Sequence, residues 1–383
     1  MKKFLIAVII ILSLVIVAEV GFLVYREITA EPVIAPVIPT TEPVEATVAT
    51  TVAPTTEPTT VPTTVPTEPP QPEEFVLTFV GDCTMGATPT RYNYESSFIR
   101  VVGENYDFPF DNVRDIFMAD DFTMINFEGT LMNEKISSAE LFPFRGPTAY
   151  TQILTGSSVE AVTLANNHTK DFGSQGYTST TNAMTEAGIP YVEQNSSTIV
   201  TTESGLVIGL YAMTFDLNKD DMKKEFAALR EQGAELIVVA AHWGDEGKYR
   251  PTEKQINDGH AMIDAGADII YGHHPHVLQR IEEYNDGIIY YSLGNFSFGG
   301  NTFPRDRDSA IVQQTVIRDP DGTIRLGELK ILPVCITSSG TTQNNFQPIL
   351  YEEGSEDYNR TLTKLDGTFE GSNLVVDYSN IQK

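Results

Sequence analysis

Five of the six histidines lie in three short segments, and each segment directly follows a predicted buried strand. These segments are Ala165-Asn166-Asn167-His168, Ala241-His242-Trp243-Gly244 and Gly272-His273-His274-Pro275-His276. Two further predicted strands end in carboxylates, at Asp82 and at Glu128. Imidazole and carboxylate side chains together are the ligands that zinc, manganese and iron prefer. The sequence therefore predicts a divalent metal site.

Six residues are the predicted metal ligands: Asp82, Glu128, Asn167, His242, His274 and His276. Pro275 stiffens the backbone between His274 and His276, so both imidazoles can reach one metal cluster. A bound ion activates water and polarises a phosphoryl or acyl oxygen, while an imidazole protonates the leaving group. The predicted chemistry is hydrolysis with one or two ions of Mn, Fe or Zn, and His168 and Asn167 are the predicted catalytic residues.

Three further residues are predicted to contact substrate: Arg145, His273 and Asn295. Arg145 is a cation beside turn residues and could receive an anionic group, although a surface role is an equal alternative. Asn295 follows another predicted strand and could equally hold a structural turn. Glu246, close after His242, is either a solvated acid or a residue that orients a ligand histidine.

The strands that must position these residues alternate with helices. Apolar runs predict a first strand at Phe75–Val80 and later strands near Thr123–Phe127, Ala161–Ala165, Val207–Ala212, Leu236–Ala241 and Asp268–Tyr271. Helical patterns cover Lys219–Gln232 and Thr252–Ala265. This order predicts an α/β fold, in which loops at the strand ends converge on one site.

The last third of the chain predicts antiparallel structure. Strands at Val277–Tyr284 and Ile288–Ser292 flank an Asn-Asp-Gly turn, and strands at Ala310–Arg318 and Thr323–Leu332 flank Asp319–Gly322. A parallel sheet completed by such hairpins indicates two sheets packed together, with helices outside.

The N-terminal region predicts membrane attachment. Lys2 and Lys3 precede an apolar run, so residues 1–26 are predicted to be a single transmembrane helix with its N-terminus in the cytoplasm. Ile28-Thr29-Ala30 is a poor signal-peptidase site, which favours an uncleaved anchor. Residues 27–74 are rich in Pro, Thr and Glu and predict a disordered stalk. The folded domain, predicted at 75–335, would then be extracellular, followed by a C-terminal extension at 336–383.

The charge of the chain restricts its partners. The formal net charge is −27, which argues against nucleic acid as a partner. A polyanionic substrate would have to be met by local cations or by bound metal. The two cysteines, Cys83 and Cys335, are widely separated and do not indicate a disulfide framework.

Six ordered motifs, spread over about residues 76–333, carry a family resemblance: Phe79–Asp82, Asn126–Glu128, Leu164–His168, His242–Gly244, Gly272–His276 and Tyr291–Phe296. In these motifs the chain resembles the CapA family, named for bacterial poly-γ-glutamate capsule synthesis, whose domain is similar to calcineurin-like metallophosphoesterases. The resemblance implies a four-layer αββα sandwich. It also implies that Asp82 and His276 hold one ion, that Glu128 bridges, and that Asn167, His242 and His274 hold the second.

The chain departs from the phosphoesterase pattern at two ligand positions. The usual Asp-x-His reads Asp82-Cys83-Thr84, and Glu128 stands where a bridging aspartate is expected. The resemblance implies a role in making, exporting, anchoring or trimming the capsule polymer, with that polymer, another envelope substrate or other capsule synthesis proteins as partners. Two functions follow: a hydrolase of a phosphoester or γ-glutamyl amide, or a non-catalytic subunit for polymer export or anchoring.

Overall fold

The structure is a computed structural model that describes residues 70–376. The predicted anchor at 1–26 and the predicted stalk up to residue 69 lie outside the described residues. Within residues 70–376, none of the helices combines the length and the apolar character needed to cross a bilayer.

Seventeen strands and seven helices make up this part of the chain. The strands are β1 (Glu73–Phe79), β2 (Asp82–Thr84), β3 (Phe122–Asn126), β4 (Thr130–Leu131), β5 (Arg145–Gly146), β6 (Ala161–Thr163), β7 (Tyr191–Val192), β8 (Ser196–Thr201), β9 (Val207–Thr214), β10 (Leu236–His242), β11 (Ile269–His273), β12 (Leu278–Tyr284), β13 (Gly287–Leu293), β14 (Asn295–Phe298), β15 (Asp308–Arg318), β16 (Ile324–Cys335) and β17 (Ile349–Leu350). The helices are α1 (Phe98–Val102), α2 (Arg114–Phe117), α3 (Thr151–Thr155), α4 (Gly173–Glu186), α5 (Lys219–Glu231), α6 (Glu253–Asp264) and α7 (Glu356–Leu365).

Most strands belong to two mixed sheets. The first has the order β17-β16-β15-β1-β3-β6-β7, and the second has the order β12-β13-β11-β10-β9-β8. In the first sheet, β1, β3, β6 and β7 pair in parallel, and β15, β16 and β17 are added antiparallel. In the second sheet, β9, β10, β11 and β13 pair in parallel, and β12 and β8 are added antiparallel. This arrangement confirms the predicted mixed α/β fold with two sheets.

Three apolar clusters separate the layers. Strand β10 contributes to two of these clusters. Val238 and Ala240 face the cluster between the two sheets, whereas Ile237 and Val239 face helices α5 and α6. A strand buried on both faces must be apolar at every position, and its side chains alternate between the faces. On the outer face of the first sheet, a third cluster joins its strands to α1, α3 and α4.

The helix ends follow local capping chemistry. The Asn218 side chain accepts a hydrogen bond from the Asp221 backbone N–H at the start of α5. Thr252 and Gln255 form a reciprocal capping box at the start of α6. Each cap satisfies backbone donors that have no partner within the helix. At each end, the predicted bounds of both helices lie within one residue of the observed ones.

Both predicted hairpins are present. Strands β12 and β13 pair across a turn in which Asn285 has a φ of 51°, and β15 and β16 pair over most of their length. Cys83 and Cys335 are both free thiols, and Cys83 is buried.

The chain after residue 335 continues along this fold. Strand β17 pairs with β16, and α7 packs against β12, β15 and β16. Lys364 of α7 is 3% exposed, and its Nζ lies 2.7 Å from carboxylate oxygens of both Asp306 and Asp308. Arg360 also pairs with Asp308, at 2.6 Å. The buried cation of α7 therefore holds the segment that leads into β15.

Candidate metal centre

Backbone hydrogen bonds fix the turns that carry Asp82 and Glu128. The Asp82 N–H donates to the Gly294 carbonyl at 2.8 Å, and the Glu128 N–H donates to the Cys83 carbonyl at 2.8 Å. A Cβ at Gly81 would lie 2.4 Å from the Gly294 carbonyl oxygen, so only glycine permits this approach. The ends of β1 and β3 therefore place both carboxylates at one point, and both are fully buried.

The loop after β11 carries the next two donors in an unusual backbone conformation. His274 has a φ of 93° and His276 a φ of 54°. Positive φ values in residues other than glycine are strained and concentrate at functional sites. The His274 N–H donates to Asp82 Oδ2 at 3.3 Å, which ties this loop to the carboxylate.

His276 lies between two groups of donors. Its Nδ1 is 3.1 Å from Asp82 Oδ2, and its Nε2 is 3.7 Å from Glu128 Oε1. The potential ligand atoms of Asp82, Glu128 and His276 all lie within 4.8 Å of one another. The same holds for Glu246, His274 and His276. The arrangement thus offers two adjacent places for a divalent ion.

His242, at the end of β10, extends the second group. Its Nε2 is 2.7 Å from Asn167 Oδ1, and its ring centroid is 4.8 Å from that of His274. All six residues that were predicted as metal ligands therefore converge at this edge of the two sheets.

The donor set fits a divalent cation. Glu128 Oε1, His242 Nδ1 and His274 Nδ1 are buried and make no hydrogen bond within the described chain. Such groups are costly to bury without a partner, and an ion would satisfy them. Carboxylate and imidazole donors suit Mn, Fe or Zn. The Cys83 thiol contributes no ligand, because its Sγ contacts the Gly81 carbonyl at 3.5 Å.

The electrostatics of His242 and His274 match this role. Burial lowers the pKa of His242 and of His274, the latter to about 4, so both rings are neutral and able to bind metal. Burial also raises the pKa of Glu128, and the nearby Asp82 carboxylate adds to this shift. Burial opposes a proton on His276, but Glu128 and Asp82 outweigh it and raise the pKa of His276 to about 10.

Two asparagines that sequence reasoning did not select hold the carboxylates. Asn126 Nδ2 donates to Asp82 Oδ1 at 2.9 Å and to Glu128 Oε2 at 3.1 Å. Asn166 Nδ2 in turn donates to Asn126 Oδ1 at 3.1 Å. The available signal was the position of Asn126, two residues before Glu128 and therefore on the same face of the chain. Hydrogen bonds of this kind orient the ligands of a metal site.

Replacing Asn126 with leucine is expected to weaken metal binding about 10- to 100-fold, because the two carboxylates lose the donor that orients them. The metal-free variant should also lose about 1–3 kcal/mol of unfolding free energy for each oxygen left without a partner. Calorimetric metal titration and urea unfolding measure the two effects. Asn182→Leu, at an exposed position of α4, is the matched control. Wild-type metal affinity in Asn126→Leu would contradict this role.

Glu246 is the acid whose role the sequence left undecided. It follows β10 and lies in one donor group with His274 and His276. Its position four residues after His242 gave no means to choose between a solvated acid and a residue that orients a ligand histidine. The turn that contains Gly244 and Gly247, both with positive φ, brings it back to the site.

His168 lies close to two carboxylates, those of Asp171 and Glu128. Its Nδ1 is 2.9 Å from Asp171 Oδ2, and its Nε2 is 3.8 Å from Glu128 Oε1. Asp171 is fixed in turn, since Oδ2 accepts the Phe144 N–H at 2.7 Å. Burial disfavours a proton on His168, but the hydrogen bond to Asp171 and the charge of Glu128 outweigh it and raise its pKa.

The three predicted substrate contacts lie in different places. Asn295 Oδ1 is 2.9 Å from His276 Nδ1, so this side chain lies at the site. His273 is 1% exposed, with Nδ1 3.7 Å from Asp82 Oδ1 and its ring against Tyr271, which leaves it behind the carboxylate. Arg145 is 5% exposed, and its guanidinium donates to Tyr92 Oη at 2.9 Å and to the Glu134 carbonyl at 2.7 Å. The structure does not bring Arg145 to the metal centre.

A cleft of about 760 Å³ opens onto the site. This volume is in the range of small-molecule sites, about 300–1,000 Å³. His168, Asn167 and His276 line one end of the cleft, together with Glu246 and Asn295.

Comparison with known proteins matches residues 76–300 to the family model described as bacterial capsule synthesis protein PGA_cap. The capsule biosynthesis protein CapA of Bacillus anthracis is 31% identical over 270 residues, which cover 63% of this chain and 64% of the relative. The PGA biosynthesis protein CapA of Bacillus subtilis (strain 168) is 31% identical over 284 residues, which cover 66% of this chain and 71% of the relative. The chain thus spans just under two thirds of the B. anthracis protein.

Among solved structures, the chain is similar to the NAD nucleotidase of Haemophilus influenzae, with 12% identity, a TM-score of 0.39 and coverage of 78% of this chain and 63% of that one. A purple acid phosphatase from yellow lupin seeds is 13% identical, with a TM-score of 0.31. The match covers 68% of this chain and 53% of the phosphatase. Likeness at these TM-scores is too weak to assign a fold or an activity.

Proposed function

Because the chain belongs to the bacterial capsule synthesis family, we propose that it is a metal-dependent hydrolase of poly-γ-glutamate capsule synthesis. The family resemblance read from the sequence is thereby confirmed. The observation that carries the proposal is the convergence of two donor groups on His276 at the end of a cleft. The proposal places the folded domain outside the cell, held by a single-pass anchor at residues 1–26 and the stalk at 27–74.

The fold supports this assignment. Two sheets face each other across one apolar cluster, and helices cover both outer faces. This order of layers supports the proposed four-layer αββα sandwich, which the metallophosphoesterase resemblance implies. In that arrangement the loops at the carboxyl ends of the strands carry the site.

The roles of the residues follow from their geometry. Asp82, Glu128, His242, His274 and His276, with Asn167, would hold the ion or ions, and Glu246 would add a carboxylate. A divalent ion bound there would supply Lewis-acid chemistry, which activates water and polarises the bond under attack.

His168 would supply the proton for the leaving group. Asp171 holds its Nδ1, so Nε2 faces the site and carries the transferable proton. Asn167 lies beside it in the same loop and contributes its amide to the reacting end of the cleft. The bond cleaved would be a phosphoester or a γ-glutamyl amide of an envelope polymer.

The test is turnover by the purified chain on a panel of phosphodiesters and γ-glutamyl amides, with Mn, Fe or Zn supplied. We expect hydrolysis of one bond class, loss of turnover with a chelator and recovery when metal is restored. Metal binding without turnover on either class would contradict the hydrolase and favour a non-catalytic subunit for polymer export or anchoring.

A further inference from the structure

Arg305 is a cation of the cleft wall that has no partner within residues 70–376. Its side chain is exposed in the cleft and makes no hydrogen bond or ion pair with any residue of the described chain. Two of the acids that line the cleft have other partners, since Asp171 pairs with His168 and Asp306 pairs with Lys364. The guanidinium is therefore available to a ligand in the same cleft as the metal donors.

The loop that presents Arg305 is fixed on both sides. Before it, the Asn344 backbone N–H donates to the Thr302 carbonyl at 2.8 Å. After it, the Asp306 carboxylate accepts from Tyr249 Oη at 2.8 Å and from Lys364 Nζ at 2.8 and 2.7 Å. A guanidinium held on a fixed loop loses less conformational freedom on binding than one on a mobile loop.

The remainder of the cleft wall is largely apolar. It includes Leu141, Phe142, Phe144, Val277, Phe298 and Leu374. Leu374 belongs to the last described segment, and its N–H donates to the Gly247 carbonyl at 2.9 Å. The cleft thus combines the metal donors, several apolar side chains, acids such as Glu140, and one cation, Arg305, that has no partner among the described residues.

This combination fits a polymer with apolar spacing between regular negative charges. In γ-linked polyglutamate, methylene groups lie within the main chain and every residue keeps a free α-carboxylate. The chain has a net charge of −27, so its overall field repels such a polymer, and a local cation is needed to receive it.

We propose that Arg305 binds an α-carboxylate of γ-linked polyglutamate and so sets which bond of the polymer lies at the metal centre. The inference rests on the proposed function and deepens it by naming the residue that recognises the substrate. A guanidinium is suited to this role, because it binds a carboxylate through two parallel hydrogen bonds.

The experiment uses a fluorescein-labelled γ-linked glutamate decamer and its counterpart in which every α-carboxylate is amidated. Fluorescence anisotropy measures their binding to the metal-replete chain, to Arg305→Ala and to Arg307→Ala. Arg307 is the matched control, two residues along the same loop and outside the cleft lining. We expect Arg305→Ala to weaken binding of the acidic decamer about 10- to 100-fold, the range for hydrogen bonds to charged groups. Arg307→Ala should bind as the wild type does.

The amidated decamer should bind the wild type about as weakly as the acidic decamer binds Arg305→Ala. Unchanged binding by Arg305→Ala, or equal binding of the two decamers to the wild type, would overturn the inference. Failure of the wild type to bind the acidic decamer would overturn it as well. Failure of the proposed function has a different signature, absence of metal-dependent turnover, which is measured on the same preparation.

Discussion

Replacing His276 with alanine is expected to reduce metal affinity by more than about 100-fold. Loss of a residue that only hydrogen-bonds to a metal ligand costs about 10- to 100-fold, and loss of a ligand itself should cost more. His276 is the residue common to both donor groups, with Nδ1 beside Asp82 and Nε2 facing Glu128. Its removal also leaves two buried carboxylates without the imidazole between them. Elemental analysis after dialysis, together with turnover, measures the effect.

The matched control is His260→Ala. His260 lies outside the site, stacked on Tyr284 with ring centroids 3.7 Å apart. Metal content and turnover should match the wild type in this variant. Full metal occupancy in a folded His276→Ala chain, verified by circular dichroism, would show that His276 is not a ligand.

Replacing His168 with asparagine is expected to lower turnover about 10²- to 10⁴-fold, the usual contribution of a positioned acid or base. Metal content should stay unchanged, because His168 approaches the ligand set only at 3.8 Å from Glu128. The variant removes the proton donor and leaves Asp171 held by the Phe144 N–H. Steady-state kinetics with substrates of different leaving-group pKa separates this role from binding.

The kinetic pattern decides whether His168 is the acid. Loss of a general acid should harm substrates with poor leaving groups most and should spare those whose leaving group needs no proton. An equal loss for all substrates would point to a binding role, and loss of metal together with turnover would point to a structural one. His260→Asn serves as the control for the substitution itself.

Much of the site could be anticipated because its residues follow buried strands. Strand β10 reads as an unbroken apolar run that ends at His242, and β11 ends at His273. Parallel strands of one sheet bring their carboxyl ends to one edge. Residue type and position along the chain were therefore sufficient to predict which side chains meet there. The fold class followed from the same alternation of strands and helices.

The residues that escaped prediction depend on contacts between distant segments. Arg145 lies beside turn residues in the sequence, yet Tyr92 and the Glu134 carbonyl engage its guanidinium. Arg305 had no local signal, and its neighbour Asp306 pairs with Lys364 of the distant helix α7. Periodicity reports which face of an element a residue occupies, but it does not report its partner across the fold.

The structure also accounts for the departure from Asp-x-His at Thr84. The metallophosphoesterase pattern places a histidine one residue later, where this chain has Thr84. Thr84 Oγ1 donates to the Glu128 carbonyl at 2.7 Å, so this position supports the turn that carries the carboxylate. Glu246 would add a carboxylate from another loop to the proposed ligand set. The proposed ligand set is therefore rearranged relative to that pattern.

The most direct test of the metal centre is the metal content of the purified wild-type chain after exposure to Mn, Fe and Zn and removal of loosely bound ions. We expect one or two equivalents of divalent metal per chain, retained through dialysis and lost in the His274→Ala, His276→Ala double variant. A folded wild-type chain that retains no metal under these conditions would contradict this expectation.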